Sequence, residues 1–170
     1  MVKRGQIWVE TVIYVLIGLV ILGIVLASSM PKIKEGKDRL VIEQIISALS
    51  DVDGKIYETG VAPWNKRIVQ LTVSSGEFYV DPENDEIGWI LDSSYAYSEV
   101  DKDVVMGKIN VLTSNGSPYR VKLSIKYVFD ISSGESSNVF KFASSPNPYR
   151  ISIENKGIVD GKTKIDIIVV

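Results

Sequence analysis

A single apolar run sets the architecture of this chain: residues Thr11 to Pro31 read TVIYVLIGLVILGIVLASSMP, 21 residues without a charge. A helix of about 20 residues at about 1.5 Å each covers the hydrocarbon core of a bilayer, which is about 30 Å thick. The run therefore predicts one membrane-spanning helix close to the N-terminus. Its flanks are charged, with Lys3 and Arg4 ahead of it and Glu10 directly before it.

The composition of the remaining chain predicts one ordinary soluble domain of about 130 to 140 residues. The 170 residues include 19 basic and 21 acidic side chains, so a nucleic-acid partner is not expected. There is no cysteine, which excludes disulfides and thiolate catalysis, and no histidine, which excludes Ser-His-Asp chemistry and most zinc sites. We therefore expect no catalytic residues, no metal and no cofactor.

A second helical pattern follows the apolar run. Pro31 is expected to end or kink the first helix, and Lys32, Lys34 and Lys37 mark its exit into the headgroup region. From Asp38 to Val52 the apolar residues recur at helical spacing and predict one buried face: Ile42, Ile45, Ile46, Leu49 and Val52. Asp38 is predicted to cap the start of this helix, and Asp53-Gly54 to end it.

The rest of the chain has the alternation of antiparallel strands. Strands are predicted around Val69 to Val73, Glu77 to Val80, Ile87 to Leu91, Gly107 to Thr113, Tyr119 to Ile131, Tyr149 to Ile153 and Ile165 to Val169. Asn155 to Lys162 is predicted to connect the last two. In the longest strand only Val128 breaks the alternation. The fold class predicted is α+β, a long N-terminal membrane or assembly helix followed by an antiparallel β-sandwich-like head.

The N-terminal residues Lys3-Arg4-Gly5-Gln6, followed by Glu10 and the apolar run, resemble the class III signal peptide of archaeal type IV pilin-like proteins. The resemblance implies cleavage by a prepilin peptidase between Gly5 and Gln6, on the cytoplasmic side of the membrane. Lys3 and Arg4 would be the basic residues of that signal, and Glu10 the fifth mature residue. The resemblance assigns such a glutamate to assembly with identical or homologous pilin subunits.

This reading divides the chain into a signal peptide (residues 1–5), a hydrophobic helix with its amphipathic extension (residues 6–53) and an extracellular head (residues 54–170). It implies a structural subunit that is first a single-pass membrane protein with its head outside. The subunit then joins a surface filament with a role in adhesion or surface attachment. A carboxylate at the bilayer edge is costly unless it is paired, so Glu10 is a functional candidate on physical grounds as well.

Other interpretations remain open at this point. The run can be a plain signal anchor that holds a monomeric extracellular binding domain. It can also be a secretory signal peptide cut near Ala27-Ser-Ser29, which would release a secreted protein, a hydrolase in the least favoured version.

The head has weaker signals of its own. Asn115-Gly-Ser117 is an acceptor sequence for N-glycosylation and equally a hairpin turn. The acidic segment Asp81 to Glu86 is expected to be a solvated loop rather than a calcium site, because it lacks the glycine and terminal glutamate of such a loop. Trp89 is expected in the core, since it shares a strand face with Ile87 and Leu91. Trp64, Tyr95 and Tyr97 stay open between the core and an adhesive surface.

Overall fold

The computed structural model describes residues 3–134 and 138–170, with side chains described from residue 8 onward in those ranges. The chain divides into two units, Met1–Lys37 and Asp38–Val170. Within the described residues, one long helix is followed by strands in two sheets that are mostly antiparallel. The predicted fold class, α+β with a long N-terminal helix and a β-rich head, is confirmed.

Helix α1 runs from Lys3 to Gly60 and includes both helical patterns of the sequence. The prediction that Pro31 ends the first helix is wrong, because Pro31 lies inside α1. A proline in a helix interior removes one backbone hydrogen bond, and its ring crowds the carbonyl four residues earlier, at a cost of about 3 kcal/mol. The helical residues on both sides outweigh that cost. The predicted cap at Asp38 and the predicted stop at Asp53-Gly54 are also wrong, since the helix continues to Gly60.

Ten strands follow α1 in the described part of the chain. They are β1 (Lys66–Leu71), β2 (Glu77–Asp81), β3 (Glu86–Ser93), β4 (Asp103–Met106), β5 (Ile109–Ser114), β6 (Tyr119–Lys126), β7 (Asp130–Ser132), β8 (Phe140–Ala143), β9 (Tyr149–Val159) and β10 (Lys162–Val169). One sheet has the order β1-β9-β10-β7, and the other has the order β4-β5-β6-β3-β2-β8. The pairings are antiparallel except for β7 with β10, which run parallel.

The longest predicted strand, Tyr119 to Ile131, is two strands in different sheets. β6 ends at Lys126 in the six-stranded sheet, and β7 begins at Asp130 in the four-stranded sheet. The break falls at Val128, where the alternation fails, and that side chain is 86% exposed. The interruption in the sequence pattern therefore marked the point where the chain changes sheets.

The last two strands form a longer hairpin than the alternation predicted. Asn155 to Lys162 is not a connection, because β9 continues to Val159 and β10 starts at Lys162. Asp160 and Gly161 make the turn, both with positive φ angles, of 50° and 82°. The short strands β4 and β8 were not predicted, since each has only four residues and lies at an edge of its sheet.

The head is built around one buried apolar cluster to which both sheets and the helix contribute. The helical members are four of the five residues of the predicted stripe, now extended by one turn: Ile42, Ile45, Leu49, Val52 and Ile56. Ile46, the fifth predicted residue, is partly buried and packs against the cluster. Trp89 is 1% exposed, which confirms its predicted place in the core. The helical stripe therefore completes the core of the β domain.

Candidate processing and assembly segment

The predicted processing residues lie in the first turns of α1. The backbone of Lys3, Arg4, Gly5 and Gln6 is helical, whereas the side chains of residues 1–7 lie outside the described set. The cleavage site between Gly5 and Gln6 therefore stays a prediction. Glu10 is the first of the predicted site residues whose side chain is described.

The apolar run presents its side chains to the outside on every face of the helix. Each residue from Trp8 to Ser28 is exposed, including Val20, Ile21 and Leu22, which point in different directions around the axis. The helix is long and apolar enough to cross a membrane by length and composition. A helix that is hydrophobic all round needs an apolar environment, either lipid or other helices.

Glu10 lies at the N-terminal edge of this apolar surface and has one weak contact. The Tyr14 hydroxyl, one turn further along the helix, donates to Glu10 Oε1 at 3.5 Å, the far limit of a hydrogen bond. Neither side chain is buried. No cation lies within ion-pair distance of Glu10 among the residues whose side chains are described. Among the described side chains, its carboxylate therefore has no partner besides Tyr14.

Known proteins offer no match for this chain. A scan of protein-family models found none, and neither did searches of curated proteins and of solved structures.

Two other carboxylates of α1 are bonded within the head, and the sequence analysis misassigned both. Asp38 Oδ2 accepts hydrogen bonds from the backbone N–H and the hydroxyl of Ser94, at 2.6 and 2.5 Å. Asp53 Oδ2 accepts one from Lys108 Nζ at 2.9 Å. Asp38 stands four residues before Ile42, and Asp53 four residues after Leu49. Because this spacing places both on the apolar face, it was a signal that they contact the head rather than cap a helix.

The surroundings of Asp53 combine charge and aromatic rings. Lys108 Nζ lies 3.9 Å from the centre of the Tyr57 ring, and its hydrogen bond with Asp53 raises the pKa of Lys108. Burial, and then the Asp53 carboxylate, raise the pKa of Tyr127 well above its usual range. The Tyr127 hydroxyl and Asp53 Oδ1 are both buried without a hydrogen bond of ordinary geometry in the described structure. This cluster is a structural one, since Lys108 neutralises Asp53 within the chain.

The predicted modification site is accessible. Asn115 is exposed in the loop between β5 and β6, and its backbone N–H donates to Asp101 Oδ1 at 3.1 Å. The predicted turn at Asn115-Gly116 is confirmed, while glycosylation of Asn115 stays a prediction.

The acidic segment from Asp81 to Glu86 uses its carboxylates inside the protein. Asp81 accepts hydrogen bonds from the backbone of Glu83 and Asn84. Glu86 accepts one from the Tyr79 hydroxyl at 2.6 Å and pairs with Lys122 at 2.9 Å. No group of three potential metal ligands occurs among the described residues. The segment therefore acts as a turn that joins β2 to β3.

The aromatic residues left open by the sequence differ in exposure. Trp64 is 73% exposed and has a positive φ of 65°, rare for a bulky side chain. Its backbone N–H donates to the Asn155 carbonyl at 2.8 Å. Tyr95 and Tyr97 are half-buried and contact each other with ring centres 6.3 Å apart. Of these three residues, Trp64 is therefore the one that the head presents to solvent.

Proposed function

We propose that this chain is a structural subunit of a type IV pilus-like surface filament. In this proposal a prepilin peptidase removes residues 1–5, and the mature subunit is then a single-pass membrane protein with its head outside. It then leaves the lipid and assembles through its N-terminal helix with other copies. The helices form the apolar interior of the filament, and the heads form its surface, where attachment takes place.

The observation that carries the proposal is an apolar helical surface, exposed on every face, with one carboxylate at its edge. Lipid alone accounts for the apolar residues, but it gives Glu10 no partner. An unpaired charge costs several kcal/mol in an apolar environment, so Glu10 needs a cation once lipid is replaced by helices. Cleavage before Gln6 creates such a cation, because it exposes a new α-amine one turn from Glu10.

Pairing across subunits follows from the geometry of a helix. The α-amine of one subunit and the Glu10 carboxylate of its neighbour would lie at similar depth if the helices stack with a small axial offset. The pair would neutralise both charges and fix that offset. Since leucine and valine side chains interdigitate in many registers, a single charge pair is an effective way to specify one of them.

Cleavage also removes charges that oppose extraction from the membrane. Lys3 and Arg4 would have to cross the bilayer when the helix leaves it outward, and each costs about 2.5 to 3.5 kcal/mol at the centre of a membrane. The processed helix carries only its α-amine and Glu10 at this end. Those two charges cancel, so processing makes the helix easier to withdraw.

The processing step is tested by the N-terminal mass of the protein isolated from cell membranes. We expect a chain that begins at Gln6. An intact Met1 would contradict processing and favour the anchored monomer with a binding domain. A chain that begins near Met30 would show that the segment is a secretory signal peptide.

The assembly step is tested by the Glu10→Ala and Glu10→Gln variants. Removing one partner of a buried ion pair costs about 3 to 5 kcal/mol, so incorporation into filaments should fall about 100-fold or more. Membrane insertion should stay unchanged. Glu35→Ala is the matched control, because Glu35 lies in the same unit of the chain and pairs with Lys32 at 3.3 Å. Normal incorporation of both Glu10 variants would rule out this role.

A further inference from the structure

Three lysines follow the end of the apolar run, and only one of them has an acidic partner among the described side chains. Lys32, Lys34 and Lys37 all lie in the N-terminal unit, and all are exposed. Lys32 pairs with Glu35 at 3.3 Å. Lys34 and Lys37 have no ion-pair partner among the residues whose side chains are described. We call these three lysines the basic collar.

The collar lies on two opposite sides of the helix rather than on one face. At about 100° per residue, Lys34 and Lys37 stand about 200° and 140° around the axis from Lys32. A solvent-facing stripe would place them on one side. Cations on opposite sides instead suit an environment that encloses the helix, such as a lipid layer.

The depth of the collar matches the phosphate layer of a membrane. If Pro31 lies at the edge of the hydrocarbon core, Lys32 to Lys37 extend about 1.5 to 9 Å beyond that edge. The headgroup region on each side of a bilayer is about 5 to 7 Å thick. Lysine side chains are also long enough to adjust their ammonium groups by several ångströms. All three can therefore reach lipid phosphates.

We propose that the basic collar binds anionic lipid headgroups and so selects an anionic lipid shell for the subunit in the membrane. The charge of the collar carries the proposal, since two of its lysines lack a counter-ion in the described part of the chain and membrane phosphates supply one. It rests on the membrane stage of the proposed function, but not on cleavage or on filament assembly. Each basic residue near an anionic surface contributes about a fivefold preference for it.

The test uses the full chain in neutral detergent micelles that hold equal amounts of phosphatidylglycerol and phosphatidylcholine. Native mass spectrometry counts the lipids that stay bound. We expect phosphatidylglycerol to be retained in preference to phosphatidylcholine. The double variant Lys34→Gln/Lys37→Gln should lower that preference about 25-fold, from about fivefold per residue. Lys34→Arg/Lys37→Arg should keep it.

The matched control removes two positive charges from the head instead. Lys126 and Arg150 are exposed, and neither has an ion-pair partner among the described residues. Lys126→Gln/Arg150→Gln should leave the lipid preference unchanged. An equal loss in this variant would mean that net charge alone attracts the lipid, and it would overturn the proposal. No preference in the unaltered protein would do the same.

Two further arms distinguish lipid binding by the collar from binding of free phosphate and from the assembly role of Glu10. Inorganic phosphate at millimolar concentration should not displace the lipid, and displacement would mean that the lysines bind free phosphate rather than a membrane. Glu10→Ala should retain the anionic lipid fully. Normal filament assembly of that variant with lipid retention unchanged would mean that the assembly proposal fails while the collar stands.

Discussion

The two parts of α1 show how one helix can carry two different kinds of apolar surface. From Trp8 to Ser28 every side chain is exposed and the apolar residues surround the axis. From Asp38 onward the apolar residues form a stripe, and Ile42, Leu49 and Ile56 in that stripe are fully buried. Polar and charged residues occupy most of the other positions in this second part.

The two parts therefore differ in whether their own unit covers the apolar surface and pairs the carboxylate. The stripe of the second part is covered by the head, and its Asp53 is paired with Lys108. Among the described residues of its own unit, no side chain covers the surface of the first part, and Glu10 contacts only Tyr14. Substitutions in the second part should therefore affect folding of the head. Substitutions in the first part should leave folding of the head unchanged.

The largest expected contrast comes from the same substitution in the two parts. Leu49 is fully buried, whereas Leu22 is 54% exposed. Leu49→Ala should lower the free energy of unfolding of the head by about 2 to 5 kcal/mol, because it removes buried methyl groups and leaves a cavity. Leu22→Ala should change it by less than about 0.5 kcal/mol.

Both variants are measured by urea unfolding of the full chain in neutral detergent, with tryptophan fluorescence as the signal, since Trp89 is buried in the folded head whereas Trp8 and Trp64 are already exposed. The unaltered chain serves as the reference, and an unchanged m-value would show that the denatured state is the same. A comparable loss in both variants would mean that the apolar part of α1 contributes to the head after all.

Much of this division could be predicted from the sequence, because the first apolar pattern is a continuous run and the second recurs at helical spacing. The uncharged run and the stripe from Ile42 to Val52 identified both parts of α1 before the fold was known. The helix ends were harder to predict. Asp38, Asp53 and Gly54 are typical of caps and turns, but packing against the strands outweighed these local preferences. Tertiary contacts likewise determined the short edge strands.

For the candidate site residues, too, local properties could be predicted from the sequence and long-range contacts could not. Glu10 was identified from sequence because a carboxylate beside an apolar run is costly, which is a local property. The contacts of Asp38 with Ser94 and of Asp53 with Lys108 join residues more than 50 positions apart. No local pattern names such a partner. Only the position of each aspartate on the apolar face indicated that it would have one.

A second contrast concerns two tyrosines at high pH. The pKa of Tyr127 is raised in the folded head, chiefly by burial, so the folded state keeps a proton that the unfolded state loses above its pKa of about 10. The contribution of Tyr127 is therefore fully present below pH 10 and is lost as the pH rises further. The slope is about 1.4 kcal/mol per pH unit.

Tyr127→Phe should remove the contribution of Tyr127 to the fall in unfolding free energy between pH 10 and pH 11. It should cost little at pH 7, because the hydroxyl makes no hydrogen bond of ordinary geometry in the described structure. Tyr14→Phe, in the exposed part of α1, should leave the whole curve unchanged. Urea unfolding at each pH gives both results. If the unfolding free energy falls with pH equally in the unaltered protein and in Tyr127→Phe, then the Tyr127 hydroxyl of the unaltered protein ionises freely in the folded head.

The smallest effect distinguishes glycines in the two parts of α1. A methyl group at Gly54 or at Gly18 would meet no atom within 4 Å. Gly54→Ala should raise the unfolding free energy of the head by about 0.5 to 1 kcal/mol, because alanine loses less backbone entropy in a helix. Gly18→Ala should not change it, since no residue of the apolar part belongs to the buried cluster of the head. Gly88→Ala gives the opposite sign, because its methyl would lie 2.4 Å from the Leu123 carbonyl oxygen. Stabilisation of the head by Gly18→Ala equal to that of Gly54→Ala would show that α1 folds with the head as one cooperative unit, and the two parts would then differ in environment but not in folding.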